Sequence, residues 1–499
     1  MKFVFLLSTI FIISSKAALA LEDETPVANT AYRSTLASPH DMRIVNSGVA
    51  SLYTRLEMIK NAKTSIELET FIFDPDTSGR LILKELAEAA KRGVKVRILV
   101  DKHISGFKLD EYYAQVLKDS GIDIRYYNAA SVFQLSSVQY RNHRKLMVVD
   151  DKEAITGGRN IADSYFDLSK DLNFLDRDTT VKGDIVKTIR ESFDNFWDSK
   201  IVQVPKPSLP PDDRYRFQGE SGDDEYQRKL QQFNSKTNTA KKIFAPNAED
   251  EKVKKFVMTY GKEVFEKTPE RICPEVSFAS DREGASYVES TDVKYNSKYR
   301  LLRKEISNWM RKKAKTELTI DTPYFLENKI SEEISSSLSK DVKINIFTNS
   351  LESTDAIHVA NVFNDTINKF TANTNFSAYT YKGKHSGETE LYSDAQRKAT
   401  WGTHSKTMVF DEDSFMIGTF NVDNRSSHYN TELAIFCSGN KDLTDDVKNN
   451  IMARKAGSFR LNKDGVPDDC SEFLSEVGPL KKLMYYLIKV PSHMLQHLL

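Results

Sequence analysis

Residues 143 to 160 read HRKLMVVDDKEAITGGRN, and residues 404 to 421 read HSKTMVFDEDSFMIGTFN. Both carry one skeleton: His, one residue, Lys, four residues, Asp, six residues, Gly, a second small residue, one residue, Asn. The first copy places His143, Lys145, Asp150, Gly157, Gly158 and Asn160; the second places His404, Lys406, Asp411, Gly418, Thr419 and Asn421. A single match of this length is within reach of chance, but two copies that share the later Gly and Asn are not.

These residue types suit chemistry at phosphorus. A neutral imidazole can attack it, an ammonium and an amide can hold the non-bridging oxygens, and a second, protonated imidazole can donate to a leaving alkoxide. The duplication supplies each group twice. Histidine, with a reference pKa near ~6.5, can serve in either protonation state around neutrality. No carboxylate cluster and no Cys-His spacing calls for a metal, so neither metal nor cofactor is expected.

Side chains alternate along a strand, so His143 and Lys145 share a face. A reversal near Asp151 and Lys152 sets Asn160 opposite His143 and Gly158 opposite Lys145; in the second copy Asn421 falls opposite His404. Small residues opposite the lysines would leave room above the polar patch. Asp150 and Asp411 lie an odd number of positions beyond their histidines and are expected to hold the turn, a structural role shared with Gly157, Gly158, Gly418 and Thr419.

The surrounding elements repeat as well. AKTSIELETFIF at 62–73 is answered by AKTELTIDTPYF at 314–325, and VKVRILVD at 94–101 by VKINIFTN at 342–349. Helix-strand alternation in this order predicts a duplicated α/β unit. Between the copies, four prolines from Pro205 to Pro211 and a charged run mark a boundary, and residues 205–295 read as a linker or insertion with helical patches.

At 499 residues the chain suits two domains. Lys+Arg and Asp+Glu both total 71, so no net positive charge is available to hold a polyanion backbone. Residues 1–20 combine an early lysine, a short apolar run and an Ala18-Leu19-Ala20 end, the pattern of an export signal. Three cysteines, Cys273, Cys437 and Cys470, allow one disulfide at most. The tail GPLKKLMYYLIKVPSHMLQHLL places apolar residues at helical spacing among lysines, which suits either a membrane surface or docking on the body of the protein.

Both hairpins resemble the HKD motifs of the phospholipase D superfamily, and GTFNVDNRSSHYNTEL resembles its bacterial cardiolipin synthase branch. The similarity extends over ETFIFDPDTSGR, GGRNIADSYFD and the TPYF and TNSLESTD segments. It implies two similar phospholipase D-like α-β-α sandwich domains with mixed central sheets, related by a pseudo-twofold axis. The implied boundaries are a signal peptide at 1–20, domains at 21–204 and 296–475, the insertion between them, and an amphipathic tail at 476–499.

The resemblance also implies double displacement through a covalent phosphohistidine, with His143 as nucleophile and His404 as general acid. An acid from the following strand would orient each histidine: Glu432 in the second half and Asp178 in the first, with Asp176 as the competitor. Asp423, Arg425 and Asn430 match the downstream pattern, or tie the loop beneath the site. His103 and His358 could line a cleft, and Glu69 reads as a paired core carboxylate. The implied enzyme is a monomeric phosphatidyltransferase acting on phospholipid at a membrane surface, periplasmic or secreted. Hydrolysis to phosphatidic acid stands close behind, and a nuclease or a catalytically silent lipid-binding protein stands further off.

Overall fold

The computed structural model describes residues 30–103, 107–129, 139–212, 220–284, 299–338, 340–385, 387, 391–468, 477–494 and 496. The expected export signal and Cys470 lie outside the described residues. Two nine-stranded mixed sheets carry the fold. Across the first run Val202–Gln203, Ile122–Tyr127, Lys95–Asp101, Ser65–Thr70, Leu146–Val149, Glu153–Gly157, Asp178–Lys182, His40–Val45 and Arg271–Cys273. Across the second run Ser458–Leu461, Phe376–Tyr381, Lys343–Asn349, Glu317–Asp321, Thr407–Phe410, Ser414–Gly418, Leu433–Ser438, Glu275–Ser280 and Arg33–Leu36. The orders correspond position by position, as the internal repeat predicts.

In each sheet the strand after the AKT segment pairs in parallel with the VKVRILVD or VKINIFTN strand and antiparallel with the first arm of a motif hairpin. These strands are covered on both faces: Ile66, Leu68 and Ile320 meet apolar neighbours on one, while the other carries buried polar side chains such as Glu67, Glu69 and Thr319, with Glu67 and Glu69 paired to Arg97 and Arg144. Outside the first sheet, helices Gly48–Asn61 and Thr77–Lys91 pack Leu52, Leu56 and Leu83 against Ile66 and Ile98. Helix Leu301–Lys313 does the same in the second half, with Ile306 and Met310 against Ile320 and Ile346. Between the sheets lie helices Ile185–Trp197 and Lys441–Ala453, and there one core joins Val148, Phe193 and Phe196 to Val276, Phe278 and Ile435. The halves therefore share a core.

The 205–295 segment does more than link. Its helices Glu220–Lys241 and Ala248–Phe256 pack on the outer helices of the first half. Its strand Arg271–Cys273 edges the first sheet, and Glu275–Ser280 enters the second beside Arg33–Leu36, the first strand among the described residues. A boundary at 296 thus divides neither sheet from the other, because the segment before it is woven into both. Its charged composition hides two short strands that sequence patterning passes over. A disulfide between Cys273 of the first sheet and Cys437 of the second fastens the weave, with Cα atoms 5.9 Å apart.

The repeated AKT segments have a physical explanation in the turn aspartates. Asp150, at φ 55°, accepts from the backbone N–H groups of Lys63, Thr64 and Ser65 and from the Thr64 hydroxyl. Asp411, at φ 52°, accepts from Lys315, Thr316 and Glu317 N–H and from the Thr316 hydroxyl. Each carboxylate ties its hairpin to the corner where the preceding helix becomes a strand. Burial alone would raise both carboxyls, but the backbone donors outweigh it and hold them below the usual carboxylate range. Asp150→Ala and Asp411→Ala are each expected to lower unfolding free energy by roughly 2–3 kcal/mol, from several charge-assisted bonds lost at once. A urea titration checks this: the gap to wild type should be full above about pH 4 and close as acid protonates the wild-type carboxyls.

Candidate active site

The motif hairpins pair one residue away from the expected register. Leu146 faces Thr156 and Thr407 faces Ile417, because each turn holds three residues rather than two: the ladder closes at Val149–Glu153 and Phe410–Ser414. Positive φ at Asp150 and Asp151 accommodates the first turn. The paired strands begin at Leu146 and Thr407, so the His and Lys of each motif precede the ladder, and Asn160 does not sit across from His143 as expected. Asn160 instead accepts from the backbone N–H of Ile72 at 3.2 Å and bonds Tyr165. The Asn421 amide bonds Asp423, and its buried Oδ1 has no hydrogen-bond partner.

The small residues also serve a different purpose from the expected one. A Cβ on Gly158 would stand 2.3 Å from an Asp176 carboxylate oxygen, and one on Gly157 would stand 2.1 Å from the Arg177 carbonyl. Gly418 is crowded likewise by Leu433 and Ala434. Thr419 tolerates a side chain because its hydroxyl donates to Glu432. The small positions thus let the acid-bearing strand approach; they do not clear space above the lysines.

The halves exchange their acids. Segment Leu172–Leu175 runs in parallel with Thr400–Thr403, and the His404 N–H continues this ribbon to the Leu175 carbonyl at 2.8 Å. On the other side His143 N–H donates to the Thr431 carbonyl at 3.0 Å, and Thr431 N–H to that of Arg141 at 2.9 Å. Each crossing delivers the next residue to the opposite imidazole. His143 Nδ1 lies 3.0 Å from both Glu432 oxygens, and His404 Nδ1 lies 2.8 Å from Asp176 Oδ2.

Asp178, the expected partner in the first half, touches neither histidine. It lies within the ladder opposite Gly157, where its Oδ2 accepts from Ser51, Arg55 and Arg159. Asp176 precedes that ladder and is free to cross. Glu432 likewise meets the histidine of the first half rather than that of its own. The sequence offered the right pair of candidates but gave no sign of the exchange.

All six His, Lys and Asn side chains are buried, with His143 and His404 showing 8 % and 6 % exposure. Lys145 Nζ donates to the His143 carbonyl at 2.6 Å, and Lys406 Nζ donates to that of His404 and approaches its Nδ1 at 2.9 Å. Burial lowers Lys145 to about 7 and Lys406 to about 8. It lowers His143 to about 4 against the pull of Glu432, and drives His404 well down with help from the charges of Lys406, Lys145 and His143. Each imidazole is therefore neutral before a ligand enters. His143 Nδ1 also lies 3.2 Å from the carbonyl of Thr419 in the second motif, which brings the two motifs into one buried site.

The two acids differ. Glu432 is also bonded by the Thr419 and Ser426 hydroxyls and by Asn430, and these with His143 and Lys145 overcome burial to hold it low. Asp176, with the Arg177 N–H as its other close donor, is pushed by burial up to about 6.

Aromatic rings missing from the motif reading wall the site. Phe71 lies 5.3 Å from the His143 ring and 5.0 Å from His103, while Tyr165 and Phe174 each lie 5.0 Å from His404. Phe174 could have been found from its place two residues before Asp176. Arg425 reaches far enough for Asp101 of the first half to feel its charge, and His358 senses both Arg425 and Asp355. Glu69 is fully buried against Arg144 and Asn142, the core pairing expected of it. A separate cavity of about 290 Å³, lined by Asn46, Ser47, Asp167, Thr268 and Asn450 among others, contains none of the motif residues.

Paired halves with crossed imidazole–carboxylate contacts and two buried lysines define a protein of the phospholipase D superfamily. A family model described as cardiolipin synthase, PLD-like domain matches residues 56–197 and 310–454, well over half the chain. The chain belongs to that family, and is an enzyme of the phosphatidyltransferase and phosphodiesterase class. It is 28 % identical over 414 residues to an uncharacterized protein of Helicobacter pylori strain J99, spanning 79 % of this chain and 75 % of that one. To a cardiolipin synthase of Geobacillus sp. strain WCH70 it is 30 % identical over 207 residues, 40 % of this chain and 41 % of that enzyme. The fold resembles a crystal structure of phosphatidylserine synthase from Haemophilus influenzae Rd KW20, with TM-score 0.59 and 13 % identity over 92 % of this chain and 95 % of that one.

Because Asp176 and Asp178 have separate partners, their amide variants should separate too. Asp176→Asn is expected to shift the His404 imidazole ¹⁵N resonances in histidine-labelled protein. Asp178→Asn should leave them in place and instead cost roughly 2–4 kcal/mol by urea unfolding, since it leaves Arg55 and Arg159 facing a neutral amide. A His404 shift in Asp178→Asn alone would reverse the assignment.

Proposed function

We propose that the chain transfers phosphatidyl groups between alcohols, with phosphatidylglycerol as donor and a cardiolipin-type product as the leading case. The observation that carries this reading is the pair of crossed imidazole–carboxylate contacts, each beside a buried lysine. Carboxylates hold both Nδ1 atoms, which leaves each Nε2 available for chemistry. In the first step His143 Nε2 forms a bond to phosphorus as the bond to the leaving alkoxide breaks, and His404 gives that oxygen a proton. In the second an incoming alcohol loses its proton to His404 and attacks phosphorus, releasing His143. Lys145 and Lys406, with Asn160 and Asn421, are the groups assigned to the non-bridging oxygens.

The unequal acids support this division of labour. Glu432, held ionised by several donors, suits an imidazole that turns cationic when phosphorylated. Asp176, raised to about 6, lets the His404–Asp176 pair hold a proton near neutrality, as a general acid must. The aromatic walls and the balanced net charge favour a lipid over a polyanion. Water in place of the acceptor gives phosphatidic acid by the same route. Export belongs to the same reading, supported by the sequence of residues 1–20 and by the Cys273–Cys437 disulfide. Both histidines reside in one chain, so a single copy suffices.

His143→Ala and His404→Ala are each expected to lower turnover of labelled phosphatidylglycerol by ~10³-fold or more, with lipid products resolved by mass spectrometry. Turnover of DNA alone would sink the lipid assignment. The pH dependence of kcat/KM should fall toward about pH 4, where His143 takes up a proton and can no longer attack, and again above about pH 6–8, where the His404–Asp176 pair and then Lys145 and Lys406 lose theirs. A bound phosphate anion favours charged lysines, so the alkaline limb of kcat should lie at higher pH. An alkaline limb identical in both parameters would remove the lysines from phosphate binding.

A further inference from the structure

Helices Pro479–Leu487 and Lys489–Met494 close the described chain. One side is docked: Tyr485 is buried with Leu351, Ala360 and Val477, and its carbonyl accepts from Asn361 at 3.0 Å. The other side is apolar and open. Leu480, Leu483, Met484, Leu487, Val490 and Met494 are between 40 and 72 % exposed. Tyr486 lies beside them at 63 %. Large exposed apolar side chains occur elsewhere among the described residues only at Val204, Leu209, Ile272 and Val466, so the tail concentrates them. Leu480, Leu483, Met484 and Leu487 recur at three- and four-residue spacing, which places them on one helical face.

The patch adjoins the proposed site. Lys481 Nζ donates to the carbonyls of Glu352 and Thr354 at 2.9 Å, next to Asp355, whose charge Lys406 and Tyr165 feel. Asn424, three residues beyond Asn421, donates to the Gln496 carbonyl at 3.2 Å. The tail is thus strapped to two loops around the His404 motif. From Val477 to Leu499 the chain carries Lys481, Lys482 and Lys489 and no acidic residue. Asp365 beneath it offsets Lys489 and His493, and the segment itself stays cationic. No helix among the described residues is long and apolar enough to cross a membrane, so insertion of this face would be interfacial.

We propose that the open face of the tail helices is a docking surface for an anionic phospholipid bilayer, seating the His404 side of the site against the lipid from which substrate is drawn. The choice of a bilayer as occupant rests on the phospholipid reading above. Apolar side chains would enter the acyl boundary while the lysines meet anionic headgroups.

Co-sedimentation with vesicles tests this without requiring turnover. The full mature chain should bind phosphatidylglycerol/phosphatidylcholine vesicles, bind pure phosphatidylcholine more weakly, and lose affinity with salt. The double variant Leu483→Asp, Leu487→Asp alters exposed positions only and should fold as wild type, as judged by thermal melting. Its vesicle affinity is expected to fall by about tenfold or more. Turnover of a dispersed short-chain phosphatidylglycerol should stay unchanged while turnover of vesicle lipid drops. Equal vesicle binding by variant and wild type would overturn the proposal, as would a wild-type dimer in light scattering that the variant abolishes. Loss of short-chain turnover in wild type would refute the phospholipid chemistry and leave the binding result standing on its own.

Discussion

Everything about this site depends on two buried imidazoles, each held by a carboxylate from the other half of the chain. Burying an ionised carboxylate without partners is costly, so Glu432 and Asp176 are tolerable only where the opposite half supplies imidazole and ammonium. Separating the halves would strand four charged or polar groups at once. The shared core between the sheets, the parallel ribbon from Leu172–Leu175 to Thr400–Thr403 and the Cys273–Cys437 bond all resist that separation. The weave of Arg33–Leu36 into the second sheet and Arg271–Cys273 into the first belongs with them. Catalytic geometry and the joining of the halves are therefore one structural problem, solved at one seam.

Burial tunes the groups as well as fixing them. In water the two lysines would be fully charged at neutrality and the imidazoles partly so. In the closed seam the lysines fall toward neutrality and the imidazoles well below it. A phosphodiester entering this space brings the negative charge that the lysines lack, and restores their reason to hold protons.

Much of this was legible because the chemistry was written twice. The two motifs, the AKT corners and the paired parallel strands all announced a duplicated α/β unit, and the turn aspartates explain why the AKT corners match. Register was not legible: a two-residue and a three-residue turn differ by one position, and DDK gives little reason to prefer either before φ is seen at Asp150 and Asp151. The choice between Asp176 and Asp178 failed for a related reason. Both residues fit the spacing, and only the ladder with Gly157 and the arginines behind it show that Asp178 is spoken for. Strands in the 205–295 segment escaped notice because a short run such as EVSFAS gains its identity from neighbours on either side, not from its own periodicity.

The duplication also explains how like parts acquire unlike roles. From Gly158 to Asp176 the chain takes a detour through Phe174 and Tyr165, whereas the corresponding run from Thr419 to Glu432 is shorter and carries Ser426 and Asn430 back onto the carboxylate. One loop wraps its acid in hydrogen-bond donors; the other encloses its histidine in aromatic rings. The first arrangement keeps Glu432 charged beside His143, and the second leaves Asp176 raised to about 6 beside His404. Duplication supplies two like imidazoles, and the difference between these loops gives them unlike carboxylates.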